Sequence, residues 1–292
     1  MEDREGVNWY PAPAKLNLFL HVLGRRPDGY HLIQTAFRLI DRSDRVGIVV
    51  RGDGAIRRTN DLPGIDVESD LCMRAARALR EVAADRLRST NATPGVEITL
   101  DKQLPIGGGL GGGSSDAATV LIVLNRLWTL HLNRAELMAV GLRLGADIPA
   151  FLFGENALGE GVGEQLTPLS LPPAWYLVLT PQVSVSTKEI FSSVALTRDT
   201  KRLKLLPFLP GLGKNDLQPV ATALYPEIGA HLNWLSKHGD ARMTGSGACV
   251  FAEFGSETEA REVEARMPGT MRGFVARGLD QHPLREWVVD AM

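Results

Sequence analysis

Cysteine is nearly missing from this 292-residue sequence: only Cys72 and Cys249 occur, far apart, with no CxxC pair and no neighbouring His cluster. That argues against a disulfide framework or a zinc site and fits a reducing, cytoplasmic setting. The six histidines are scattered without HExxH or HxH spacing, so a structural metal is not expected. No uninterrupted apolar run reaches the roughly 18 residues of a membrane span, and the opening MEDREGVNWYPAPAK has no apolar segment of a secretion signal. Neither sign of charge dominates: 32 Lys and Arg face 34 Asp and Glu, for a formal net charge of −2. The basic excess of proteins that bind nucleic acid or anionic membranes is absent, so neither is an expected partner. No repeat of 20 to 50 residues and no low-complexity tail is visible.

What is present is a composition of 44% hydrophobic and 23% charged residues, enough for a substantial core and, at this length, for two domains. β-Branched runs at 46–51 and 96–100 predict strands, and the spacing of Cys72, Ala75, Ala76, Leu79 and Val82 predicts a helix within 69–87. Ala117, Val120, Leu121, Leu124, Leu127 and Trp128 form one apolar stripe of a second helix. Asn133 with Glu136 resembles a capping box, predicting a third helix that runs to about Leu144 and stops at Gly145. The glycine-rich stretch 152–163 is the candidate crossing between halves. Beyond it, strands are expected at 175–179, 248–254 and 272–276, and helices at 228–235 and after Ser256, which pairs with Glu259 as a second capping box.

The densest signal is Leu104-Pro-Ile-Gly-Gly-Gly-Leu-Gly-Gly-Gly-Ser-Ser-Asp116, which opens directly into the second helix. Six glycines in seven positions are costly in backbone entropy and expose bare N–H groups. Followed by a helix N-terminus, they suit a phosphate. Ser114 and Ser115 add hydroxyls that can cap the helix, contact phosphate or hold Mg²⁺. The tract lacks the Lys of a Walker P-loop. Its formal GxGxxG (Gly107, Gly109, Gly112) lacks the acid about 20 residues on that a dinucleotide fold requires.

Pro105–Ala118 resembles the phosphate loop of the GHMP kinases, the small-molecule kinases related to galactokinase, homoserine kinase and mevalonate kinase. Pro13-Ala-Lys-Leu-Asn-Leu-Phe19 and Thr244-Gly-Ser-Gly-Ala-Cys-Val-Phe251 resemble that superfamily's other motifs. Within the superfamily, the strings at 13–31, 107–118, 144–154 and 160–164 are similar to the branch that uses ATP to phosphorylate the 2-hydroxyl of 4-diphosphocytidyl-2-C-methyl-D-erythritol, a step in isoprenoid precursor synthesis. The resemblance implies a two-domain α+β architecture with the active site in the cleft between domains. Residues 1–159 would form the ATP-binding side and 160–292 the substrate side, in a monomer or weak homodimer.

The same resemblance assigns roles. Asp147 matches the catalytic aspartate, a carboxylate able to accept an alcohol proton, where the residues alone suggest a helix or turn cap. Lys15 matches its partner lysine; on its own it reads as a solvated lysine at a strand edge. ATP is expected at Lys102, Pro105, Ile106, Gly107, Gly108, Gly109, Leu110, Gly111, Gly112, Gly113, Ser114 and Ser115, with Mg²⁺ as cofactor and no assigned metal ligand beyond Ser114 and Ser115 as candidates. Tyr30 and His31 match residues for the cytosine, Phe191 the second wall of a cytosine sandwich, and Asn17, Thr187 and Val162 further acceptor positions. Asp70 stands where the branch commonly carries Asn near the adenine. A carboxylate accepts from the adenine amino group but cannot donate to a ring nitrogen, which leaves nucleotide affinity and selectivity open at this position. The segment before Trp9 and the loop 198–214 carry no readable function. An acceptor such as mevalonate, homoserine or a sugar is the alternative, as are a nucleotide sensor without turnover and an NAD-dependent oxidoreductase.

Overall fold

The computed structural model describes residues 6–84, 94–204 and 211–290. A long antiparallel hairpin, β1 (Asn8–Arg25) and β2 (His31–Arg51), is followed by β3 (Ile56–Arg58), α1 (Leu71–Val82) and β4 (Gly95–Asp101). Three helices come next, α2 (Gly112–Leu127), α3 (Arg134–Leu144) and α4 (Ile148–Phe153), then the hairpin β5 (Ala157–Glu160) and β6 (Gln165–Pro168). The remainder runs β7 (Trp175–Leu179), α5 (Thr187–Ser192), α6 (Gln218–Leu224), α7 (Pro226–Leu235), β8 (Arg242–Met243), β9 (Val250–Phe254), α8 (Glu257–Glu264) and β10 (Gly273–Leu279). Among the described residues one sheet runs β3-β4-β2-β10-β7-β9-β8, with β1 and β5 also paired to β2. This is the expected α+β composition.

β2 is the pivot. Its C-terminal part, the strand legible in the alternating valines and isoleucine, pairs with β4 in the register Val46↔Leu100 and Ile48↔Ile98. Its N-terminal part was hidden in the sequence by Arg38, Asp41, Arg42 and Asp44, which interrupt the apolar alternation. It nonetheless carries β1, β5 and, through Gly278↔Ile40, β10. The tract 152–163 is therefore not a plain crossing: Leu152 and Phe153 end α4, and β5 lies within the main sheet with Thr35 opposite Gly159. Gly154 ends α4, and Gly161 and Gly163, with φ of 72° and 110°, serve the tight turn into β6.

α1 begins and ends inside the predicted 69–87 window, of which 85–87 lie outside the described residues. α3 carries the predicted capping box, with Asn133 Oδ1 accepting from Glu136 N at 3.0 Å and Glu136 Oε2 from Asn133 N at 2.7 Å. Ser256 caps α8 on Glu259 N, but the Glu259 carboxylate reaches the N–H of Gly255 rather than that of Ser256.

The greatest departure is α2. A single stripe was expected, yet every residue from Ser115 to Asn125 is buried, as in a helix packed on all sides. The polar residues on the other faces are there to be bonded. Ser115 Oγ donates to Pro13 O at 2.7 Å, Thr119 Oγ1 to Pro11 O at 3.2 Å, and Asn125 exchanges two 2.9 Å bonds with Leu132. The first two pin α2 to β1 and the Asn125 pair closes the turn after the helix, while Val120, Leu121 and Leu124 join the core with α1 and β4, each contributing about 1.5–3 kcal/mol by burial. The C-terminal tail returns to this core: Leu284 and Val288 pack into it, and Arg134 on α3 donates to the carbonyls of Leu152, Arg285 and Val288. A second core forms between β7, β9 and α6–α7, around Leu177, Ile228 and Val250.

Candidate active site

A cavity of about 550 Å³ lies between β1, the 105–113 loop, the N-terminus of α4, the β5–β6 turn, α5 and the 244–247 turn. Small-molecule sites are of this size.

The loop is shaped by close approach. Gly109 and Gly111 have φ of 76° and 74°; a Cβ at Gly109 would stand 2.3 Å from Thr244 O, and one at Gly111 2.8 Å from the Phe151 ring. Backbone contacts fix it from both sides, with Lys15 N donating to Leu110 O and Cys249 N to Gly108 O, each at 3.0 Å. Gly111 in left-handed conformation serves as N-cap of α2 with no side-chain cap. Helix α2 thus starts inside the glycine tract, and the expected capping role of Ser114 and Ser115 is corrected: both sit in its first turns. They also part company. Ser114 lines the cavity, while Ser115 is fully buried with its hydroxyl engaged by Pro13 O, so it does not reach the site. Lys102, Pro105, Ile106, Gly107, Gly108, Gly109, Leu110, Gly111, Gly112 and Gly113 all border the cavity.

Lys102 borders it without a free ammonium. Its Nζ lies between Asp44 and Asp116, 2.6 Å from Asp116 Oδ2, and Asp44 Oδ1 also accepts from the N–H groups of Gln103 and Leu104. Burial alone would lower the lysine; the two carboxylates outweigh it and hold it above its ordinary value. Burial, seconded by Asp44 and Asp70, pushes the Asp116 carboxyl up despite the ammonium. Lys102 thus ties the strand before the loop to the helix after it at the edge of the cavity.

Asp70 is similarly committed. It borders the cavity, but Oδ1 caps α1 by accepting from Cys72 N and Oδ2 holds Arg58 Nη1, both at 2.8 Å in a pair that is almost wholly buried. Both carboxylate oxygens of Asp70 thus already hold a partner within the protein at the border of the cavity. Arg58, which the sequence did not single out, supplies the charge that permits a carboxylate there.

At the other end, Lys15 is buried rather than solvated. Its Nζ donates to Asn17 Oδ1 at 2.5 Å and to Gly109 O at 2.9 Å, and lies 3.5 Å from Asp147 Oδ2. Asp147 stands at the start of α4, yet its side chain makes no cap bond, so the cap reading does not hold. Asn17 is fixed in turn: Nδ2 donates to Thr35 Oγ1 and its backbone N–H to Thr244 Oγ1, both at 2.9 Å. The 244–251 segment thus holds both β1, through Thr244, and the loop, through Cys249.

Asn17, Val162, Thr187 and Phe191 line the cavity; Thr187 Oγ1 is 2.8 Å from Ser246 Oγ. Tyr30 and His31 do not line it. Tyr30 is 63% exposed after the Asp28-Gly29 turn, and His31 packs on Phe191 at the rim, ring centroids 5.0 Å apart. Burial and the neighbouring Arg198 and Arg25 hold the His31 imidazole below its ordinary value.

A metal can be tested against this geometry. Among the described residues no cluster of three His, Cys, Asp or Glu side chains could hold an ion. Of the hydroxyls that border the cavity, Ser114 stands at the phosphate loop, while Thr187 and Ser246 pair with each other on the far wall. A lone serine hydroxyl at such a loop would add one oxygen to those of a nucleotide's phosphates around Mg²⁺.

The bare-backbone loop, the helix behind it and the Lys15–Asp147 pair define a small-molecule kinase of the GHMP class. Residues 70–155 match the family described as GHMP kinases N terminal domain, and residues 199–273 match GHMP kinases C terminal. The 4-diphosphocytidyl-2-C-methyl-D-erythritol kinase of Thiobacillus denitrificans is 59% identical over 96% of this chain and 98% of its own length. The enzyme of that name from Aromatoleum aromaticum is 57% identical over 95% of each. A crystal structure of 4-(cytidine 5'-diphospho)-2C-methyl-D-erythritol kinase superposes with a TM-score of 0.78 at 32% identity, covering 93% of this chain and 99% of that one. The Methanococcus jannaschii mevalonate kinase shares the fold, with a TM-score of 0.65 at 16% identity. The chain belongs to the 4-diphosphocytidyl-2-C-methyl-D-erythritol kinase family.

Proposed function

We propose that the protein transfers the γ-phosphoryl group of ATP to the 2-hydroxyl of 4-diphosphocytidyl-2-C-methyl-D-erythritol, giving the 2-phosphate and ADP, in the methylerythritol phosphate route to isopentenyl diphosphate. The observation that carries the chemistry is the placing of Lys15 between Gly109 O of the phosphate loop and the Asp147 carboxylate. One ammonium thereby spans the two partners that phosphoryl transfer must bring together.

The loop N–H groups and the α2 N-terminus bind the triphosphate and offset its charge. Asp147 takes the proton of the 2-hydroxyl as the new P–O bond forms and the bond to the ADP oxygen breaks. The base contributes on the order of 10² to 10⁴, with positioning and electrostatics supplying most of the remainder. Lys15 steadies the charge on both carboxylate and phosphoryl group. When bound, Mg²⁺ would sit by Ser114 and neutralise phosphate charge. Phe191 and Thr187 on α5, Val162 on the β5–β6 turn and Asn17 on β1 bound the acceptor side. Tyr30 and His31 at the rim supply an aromatic face and a polar edge for cytosine. Residues 1–159 carry the nucleotide side and 160–292 much of the acceptor side.

The test is an ADP-release assay with ATP, Mg²⁺ and the cytidyl acceptor, run beside mevalonate, homoserine and a no-acceptor control. Turnover with the cytidyl compound alone is expected; turnover only with another alcohol would keep the mechanism and discard the acceptor.

A further inference from the structure

The loop beginning at Arg198 had no readable function in the sequence, yet its first residue reaches both walls of the rim. Arg198 Nε points at His31 Nε2 at 3.1 Å. The other end of the same guanidinium donates to Leu196 O at 3.0 Å, Phe191 O at 3.1 Å and Ser193 O at 2.7 Å. His31 opens β2, in the first half of the chain, and Phe191 lies on α5, in the second.

We infer that Arg198 is a positioning residue for acceptor recognition: it sets the spacing of His31 and Phe191 and fixes the His31 imidazole as the Nδ1–H tautomer. The inference rests on the reading of this rim as the cytosine site.

The chemistry follows from donor and acceptor roles. A guanidinium Nε–H only donates, so the nitrogen it meets, Nε2, must carry a lone pair, and a neutral imidazole then bears its proton on Nδ1. Protonating His31 would set an N–H against an N–H. The groups whose charge acts on the ring are Arg198 and Arg25, both cationic, and with burial they hold it in the neutral form. A base edge therefore meets one fixed donor, and the planar fork that fixes it also holds the carbonyl of the aromatic residue beside it. Lys could supply the charge but not the fork.

The test compares wild type, Arg198→Met and Arg198→Lys. Arg198→Met is expected to raise the KM of the cytidyl acceptor at least tenfold, with kcat and the KM of ATP within about threefold. Loss of its charge should also move the acid limb of the acceptor kcat/KM to higher pH, because His31 then titrates closer to its ordinary value. Arg198→Lys should raise the acceptor KM while leaving the acid limb near the wild-type position. Independently of substrate, ¹⁵N spectra of the imidazoles, with His31 assigned by its loss in His31→Gln, should show Nδ1 protonated and Nε2 bare in wild type, and a tautomer mixture in Arg198→Met. An unchanged acceptor KM in a folded Arg198→Met, or Nε2 protonated in wild type, would overturn the inference. A uniform loss of kcat with KM unchanged would also overturn it, by assigning Arg198 to general stability. Failure of wild type to use the cytidyl acceptor while the ¹⁵N result holds would instead remove the function on which it rests.

Discussion

The Lys15 ammonium and the Asp147 carboxylate lie 3.5 Å apart across a sharp gradient of exposure, the lysine side chain 3% exposed and the aspartate 43%. The cation is fixed by Asn17 and Gly109, and the carboxylate is presented to the cavity from the start of α4. A buried charge with three oxygen neighbours does not wander, so the base is aimed by a group that is itself immobile.

Asp147→Asn should keep both substrates bound and lower kcat at least a hundredfold, because the amide cannot take the proton. Lys15→Ala should lose comparable activity. Rapid-quench turnover with separate binding titrations checks both; near-normal turnover of Asp147→Asn would remove it from the role of base.

The two loop serines should separate cleanly. Ser114→Ala is expected to raise the Mg²⁺ concentration needed for half-maximal activity while leaving the melting temperature nearly unchanged. Ser115→Ala leaves the buried Pro13 carbonyl without its 2.7 Å partner and should cost about 1–3 kcal/mol in urea unfolding, with the Mg²⁺ requirement unaltered.

Gly109→Ala brings a Cβ to 2.3 Å from Thr244 O at a left-handed φ, and backbone cannot yield as a side chain would. The ATP KM should rise at least tenfold. Gly269→Ala, where a Cβ would meet nothing within 4 Å, is the control and should be silent in the same assay.

The Asp116 carboxyl is raised above its ordinary 3.8 in the folded protein, so over the pH range above that value the native state keeps a proton that the unfolded chain releases. Wild-type stability therefore falls as pH rises through this range. Asp116→Asn cannot titrate, so the melting temperature of the variant relative to wild type should improve between about pH 5 and pH 8. A constant difference would place the raised group elsewhere.

Much of this arrangement was legible in the sequence where a pattern is local. The Asn133–Glu136 capping box, the strands around Val46 and Val96 and the glycine loop all depend on neighbours in the chain. What escaped reading depends on partners far away. Arg58 is needed only because Asp70 is a buried carboxylate, and Ser115 differs from Ser114 only because β1 passes over one of them. The polar face of α2 looked solvent-facing because nothing in its own sequence shows that Pro11, Pro13 and Lys102 come to meet it. Arg198 was silent for the same reason: its meaning lies in His31, which chain topology places on the opposite wall.

The most direct test of the central claim is the ³¹P spectrum of the product formed by wild type from ATP and 4-diphosphocytidyl-2-C-methyl-D-erythritol. Carbon 2 of the acceptor carries no hydrogen, so a phosphate there has no three-bond proton coupling. The account predicts acceptor-dependent ADP formation and one new phosphate resonance unsplit by carbinol protons. No new resonance, or one split into a doublet or triplet by a carbinol proton, would contradict it.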